Sequence, residues 1–103
     1  MDKAEYHRNW EVNNKDKRRR INKAYRTRQR NKLANLKREP CTDCGVRYNP
    51  WQMQWDHVGT DKEFTIGSKV IDYSWDRVLA EIAKCDLVCA NCHADRTWNR
   101  RLQ

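Results

Sequence analysis

Cys89-Ala90-Asn91-Cys92-His93, near the end of the chain, is the stretch that decides how the rest is read. It is a Cys-x-x-Cys with a histidine directly behind the second cysteine. A second Cys-x-x-Cys, Cys41 and Cys44 with Gly45 behind it, lies upstream, and Asp56-His57 lies between the two. Two such pairs can supply four thiolates to a tetrahedral zinc. A redox pair is the alternative, but it belongs at a strand-to-helix turn of a longer α/β pattern that this chain lacks. A segment as short as 41–103 buries little apolar surface, and such domains commonly need a metal or disulfide staple. Cys85 is left over and reads as a small buried apolar residue beside a strand.

The chain has 103 residues, which fits one domain with an appendage. No apolar run is long enough to span a membrane, and no apolar segment follows the charged start, so neither a membrane span nor a secretory signal is expected. A reducing cytoplasm is the expected compartment, where cysteines serve metal or redox chemistry rather than disulfides. The net charge is +8, yet residues 1–40 carry 14 Lys/Arg against 5 Asp/Glu and residues 41–103 carry 8 against 9. A strongly basic segment on a near-neutral body points to a polyanion, most simply nucleic acid. A solvated tail is the plainer reading of the same charges.

From Asp2 to Glu39 there is no proline or glycine and helix-favouring residues are common. The spacings Tyr6/Trp10, Ile21/Tyr25 and Leu33/Leu36 place each pair on one helical face. This predicts one long helix weakened at Asn13-Asn14, or two helices, ended by Pro40. The Cys41–Gly45 turn reads as a zinc knuckle. Gln52 to Val58 reads as a half-buried strand that must bend or end if Asp56 and His57 are to share a site, because adjacent strand residues face opposite ways. A short extended piece at Phe64-Thr65-Ile66 and a loop at Gly67-Ser68 follow. Ser74 is placed to cap a helix from about Trp75 to Lys84, with Trp75, Val78, Leu79 and Ile82 inward. A strand at 86–88 and a helix from Ala90 to Arg101 complete the pattern. Trp51, Trp55 and Trp75 read as core, while Trp10 and Trp98 are candidates to stack on bases.

His93 could be a zinc ligand in a Cys3His set. If Cys89 and Cys92 bind the zinc instead, His93 is turned about 100° from Cys92 on the starting helix. It is then free to line a separate site with Asp56 and His57. Their oxygen and nitrogen donors suit Mg²⁺ or Mn²⁺, with Ni²⁺ and Zn²⁺ as further candidates. A remaining histidine can take a proton from water near neutral pH.

The order Cys-x-x-Cys, Asp-His, Cys-x-x-Cys-His over about residues 41–100 resembles the HNH endonucleases, including small phage-encoded ones. The resemblance implies an α+β fold: a zinc-stapled ββα-metal module at 40–103, preceded by a basic helical DNA-binding arm at 1–39. It implies a metal-dependent endonuclease or nickase acting on DNA, mainly double-stranded. In that reading Cys41, Cys44, Cys89 and Cys92 hold a structural zinc, Asp56 and His93 hold one catalytic divalent ion, and His57 is the general base. Phage packaging or replication proteins would be further partners, and the host cytoplasm the location. Two departures stand out. Lys84 occupies the position of the family's middle Asn, and Thr97 that of a further His found in many members. Asn91 or Thr97 could then complete the metal shell.

The arm's candidate DNA contacts are Arg18, Arg19, Arg20, Lys23, Arg26, Arg28 and Arg30. Arg96 and Arg100, three and seven residues past His93, lie on its side of the last helix and could clamp phosphates. They could equally be cations at a solvated helix end. The rival readings are a zinc-knuckle nucleic-acid-binding protein without catalysis, and a protein that binds or cuts RNA.

Overall fold

The computed structural model describes residues 2–102. Helix α1 runs unbroken from Lys3 to Leu36. Asp2 caps it, its carboxylate accepting the Glu5 N–H at 2.8 Å. The expected weak point does not break the helix; there the Asn14 amide turns back and donates to the Trp10 carbonyl at 2.7 Å. Lys3 to Arg28 is solvent-exposed apart from a partly covered Asn14.

The last two turns of α1 are different. Leu33 is buried in one core cluster with Phe64, Ile66, Val70 and Val78. Gln29 is buried too and donates to the Val70 carbonyl at 3.4 Å. The Lys32 ammonium lies 5.3 Å from the centre of the Trp75 ring. The body therefore includes the end of the arm, and a boundary at 39/40 would cut through shared core.

Past Pro40, a 3₁₀ turn at Pro50–Gln52 leads into strand β1, Met53–His57. A short helix α2, Ile66–Lys69, stands where an extended piece and loop were expected, the Thr65 carbonyl accepting the Lys69 N–H at 3.2 Å. Helix α3, Trp75–Ile82, is capped by Ser74, whose hydroxyl accepts the Arg77 N–H at 3.3 Å. Its inward face differs from the expected one. Val78 is fully buried, but Leu79 is 40% exposed and Glu81 points inward instead. Glu81 can do so because three donors meet its carboxylate, as described below. Trp51 is also a correction: it is 79% exposed, whereas Trp55 and Trp75 pack on the core as expected.

Strand β2, Cys85–Cys89, pairs antiparallel with β1 to make a two-stranded sheet. The register sets Met53 opposite Cys89, Trp55 opposite Leu87, Asp56 opposite Asp86 and His57 opposite Cys85. A second core cluster, Cys41, Met53, Leu87, Val88 and Cys89, lies under the sheet, and Trp55 packs against both clusters. Helix α4, Ala90–Arg101, starts directly from β2. The fold is thus a small α+β body with four helices among the described residues, and no helix is long and apolar enough to cross a membrane.

Candidate active site and metal centre

The two knuckles meet. One sulfur from each of Cys41, Cys44, Cys89 and Cys92 lies within 4.8 Å of the other three. Tetrahedral coordination at a Zn–S distance of about 2.3 Å requires sulfurs about 3.8 Å apart, so a small contraction closes the shell. Local backbone builds each half. Gly45 takes φ +71°, and the Cys41 N–H reaches the Val46 carbonyl at 2.9 Å, which folds the first knuckle tightly. Cys89 is the N-cap of α4, its sulfur accepting the Cys92 N–H at 3.4 Å. The Cys89 N–H in turn points at the Cys41 sulfur, 3.3 Å away.

Burial pushes the Cys41 thiol up, but N–H groups of Cys44, Cys89 and Asp43 outweigh it and bring it down to about 6. The Cys92 thiol is pushed up by its hydrogen bond with Cys89 and by burial. Four sulfurs this close cannot all ionise unless a cation sits among them. The donor set fits a structural metal such as zinc. Cys85 is not among the four; its thiol donates to the Glu81 carbonyl at 3.5 Å, and burial pushes it up to about 11.

A cavity of about 440 Å³ at the end of β1 is lined by Asp56, His57 and His93, together with Gln54, Lys37 and Arg100. Here β1, α4 and the end of α1 converge. Asp56 is 3% exposed. Its neighbour across the sheet is Asp86, and directly opposed like charges repel. Arg96 resolves the conflict, its Nη1 donating to Asp56 Oδ2 at 2.9 Å and to Asp86 Oδ2 at 3.0 Å. The same guanidinium reaches the first knuckle, Nε and Nη2 donating to Asp43 at 2.7 and 2.6 Å. Arg100 adds a fork on Asp56, Nη1 to Oδ1 at 2.8 Å and Nη2 to Oδ2 at 2.6 Å. The Arg100 hydrogen bonds, helped by Arg96 and opposed by burial, bring the Asp56 carboxyl down to about 2.

These contacts revise the arginine readings. Arg96 is held by three carboxylates and is a structural tie. Arg100 is bound to Asp56 rather than free for phosphate, though 49% of its side chain is exposed.

His93 comes from α4. Its Nδ1 is hydrogen-bonded to Gln54 Oε1. With that oxygen accepting, Nδ1 is the donor of this pair. Nε2 faces Asp56 Oδ1 at 3.4 Å. A protonated His93 forms an ion pair with that carboxylate, whereas an unprotonated Nε2 leaves two electron-pair donors facing each other. Arg96 and the Arg100 fork already occupy the same carboxylate.

His57 points to a different partner. Its Nε2 lies 3.0 Å from Glu81 Oε1. Glu81 is 1% exposed, and it also accepts the Glu63 N–H at 2.9 Å and the Lys84 ammonium at 3.0 Å. Burial opposes its ionisation, but those three donors outweigh it and bring Glu81 down to about 2. Lys84 also donates to the Asp61 carbonyl at 2.9 Å, so it ties down the segment leaving β1. The Glu81 hydrogen bond pushes the Lys84 ammonium up.

Asp56, His57 and His93 thus share one cavity, although Asp56 and His57 make their hydrogen bonds to different partners. Asn91 is elsewhere, at a separate depression with Tyr48 and Trp51. Thr97 is exposed beside Gln54 and His93 at the rim of a neighbouring depression. The sequence reading missed Gln54 and Glu81. Gln54 sits two residues before Asp56, hence on the same face of β1, which was a usable signal. Glu81 sits three past Val78, hence on the inward face of α3, but an acidic residue there reads as exposed unless its donors are known. No family model, curated protein or solved structure matches this chain.

Proposed function

We propose that this protein is a metal-dependent endonuclease of the HNH type that hydrolyses DNA phosphodiester bonds. The observation that carries the reading is the cavity shared by Asp56, His93 and His57, with His93 Nε2 3.4 Å from Asp56 Oδ1 and His57 held by a buried carboxylate. A protein that only binds nucleic acid has no need of that arrangement.

The chain's own residues would act as follows. Glu81 is acceptor-only when ionised, so His57 Nε2 carries the proton and Nδ1 keeps the lone pair that a base needs. His57 takes a proton from water at Nδ1, and Glu81 stabilises the imidazolium that results. Asp56 and His93 would hold the divalent ion, which supplies charge stabilisation at the phosphate and the leaving oxygen. Gln54 keeps His93 in the ligating tautomer. Arg100 must leave Asp56 for the ion to bind there, and its exposed side chain can do so.

A second reading is a zinc-knuckle nucleic-acid-binding protein without catalysis. The observation favouring it is the double arginine engagement of Asp56, which already satisfies that carboxylate. Incubation of supercoiled plasmid with Mg²⁺, Mn²⁺ or Ni²⁺ separates the two. The nuclease converts plasmid to nicked or linear form, and His57→Ala abolishes this while plasmid binding persists. Equal rates for wild type and His57→Ala would remove the general-base role; no cutting with any of the ions would leave the binding protein.

A further inference from the structure

The cations of α1 are not spread evenly around it. On a helix turning about 100° per residue, Arg8, Lys15, Arg19, Lys23, Arg26 and Arg30 fall within one sector about 80° wide. Lys37, the residue that closes the helix, falls in the same sector. Between Arg8 and Lys37 the other residues in that sector are Val12 and Leu33, and none is acidic. Arg18, Arg20 and Arg28 point outside it, as do Lys3, Lys17 and Lys32, and these six are spread over about 160°.

Two observations say where this row leads. Leu33 lies in the row and is buried against the body, so the row faces the body's side of the helix. Lys37 lines the cavity that holds Asp56, His57 and His93. The row therefore runs straight along the helix and ends at the candidate active site. From Arg8 to Lys37 it is about 44 Å long at 1.5 Å per residue.

We propose that this narrow row is a track for the phosphates of duplex DNA, leading the backbone from the arm into the cavity. The inference rests on the nucleic-acid reading above and assigns its binding surface. A straight, rigid row of like charge complements a stiff duplex better than a flexible single strand. The wide major groove of B-form DNA admits a helix, whereas the deep, narrow one of A-form RNA does not. At 3.4 Å per base pair the row matches about 13 base pairs.

The test compares two full-length variants with the same loss of charge. One carries Lys15→Gln, Arg19→Gln, Lys23→Gln and Arg26→Gln, within the row. The other carries Lys17→Gln, Arg18→Gln, Arg20→Gln and Arg28→Gln, outside it. All eight positions are exposed, so both variants should keep wild-type helix content by circular dichroism. Affinity for a duplex of about 25 base pairs, twice the row's reach, is measured by anisotropy across salt concentrations without divalent ions. Each phosphate contact contributes about 0.9 to the slope of log affinity against log salt, so the row variant should lose about 3 to 4 units and the other less than about 1. Equal flattening in both variants overturns the row. Row-dependent binding to double-stranded RNA but not DNA overturns the DNA assignment. Because no cleavage is read, the two ideas fail separately: a chain that cuts plasmid with equal flattening loses only the row, and a chain that binds along the row but never cuts loses only the nuclease.

Discussion

Arg96 lets Asp56 and Asp86 face each other across the sheet, and it ties both to Asp43 of the first knuckle. Its planar fork cannot be replaced by the single ammonium of lysine. Arg96→Ala leaves Asp43 and Asp86 without that partner and should cost about 2–4 kcal/mol, read from denaturant midpoints. A loss below the error of such measurements would show that the tie is ornamental. Arg100 should behave in the opposite way. In the proposed nuclease it competes with the divalent ion for Asp56, so Arg100→Ala should bind Mn²⁺ more tightly, as followed by electron paramagnetic resonance of free Mn²⁺; unchanged or weaker binding would count against Asp56 as a ligand. Glu81 makes a pH prediction. Its folded-state pKa, about 2, lies below the ordinary 4.5, so its ionised form stabilises the fold fully above that ordinary value. That contribution fades as pH falls toward 2. Glu81→Gln should therefore have a flatter loss of melting temperature across that acid window than wild type, and matching slopes would refute it.

At the scale of elements, α1 divides into a free part and a docked part. An isolated helix of this polar composition gains little from its own packing, and what anchors it is the last two turns. Leu33→Ala should destabilise the body by about 2–4 kcal/mol, because a buried leucine leaves a cavity. Deleting residues 2–26 should leave the melting temperature nearly unchanged and remove most of the basic row. Deleting residues 2–38 should lower the melting temperature sharply, since it also removes Gln29 and Leu33. If both truncations melt alike, the docking described for α1 contributes no stability. The helix was legible from composition alone; its continuity through Asn13-Asn14 was not, because asparagine side chains can also bond to the backbone outside a helix and so leave its local preference open.

At the scale of the whole molecule, the four-cysteine cluster, which can hold a structural metal, joins two ends of the body that are far apart in sequence. The first knuckle, β2 and α4 all pass through it, so metal binding and folding should be one event. Removing the metal with a strong chelator should collapse the near-ultraviolet dichroism of the body and its tryptophan packing, and adding Zn²⁺ should restore them. Elemental analysis should find one zinc per folded chain. Folded protein without any bound metal would break the coupling. The tyrosine beside the centre, Tyr48, is pushed up by its hydrogen bond with Cys44, and it offers a local optical reporter of assembly.

The sequence by itself determined what is local. Cys-x-x-Cys spacing placed two thiols on each turn, Gly45 permitted the first turn, and the absence of proline and glycine made the arm a helix. The start of α4 at Ala90 followed from the second knuckle in the same way. What only the tertiary structure decided is which charges meet. Asp43 and Asp56 reach Arg96 across 53 and 40 positions, and His57 reaches Glu81 across 24. No short-range pattern encodes such pairings, because they depend on the register of β1 against β2 and on the face that α4 turns to the sheet. A shift of one residue in that register would send Asp56 to the opposite face and leave Arg96 and Arg100 without it.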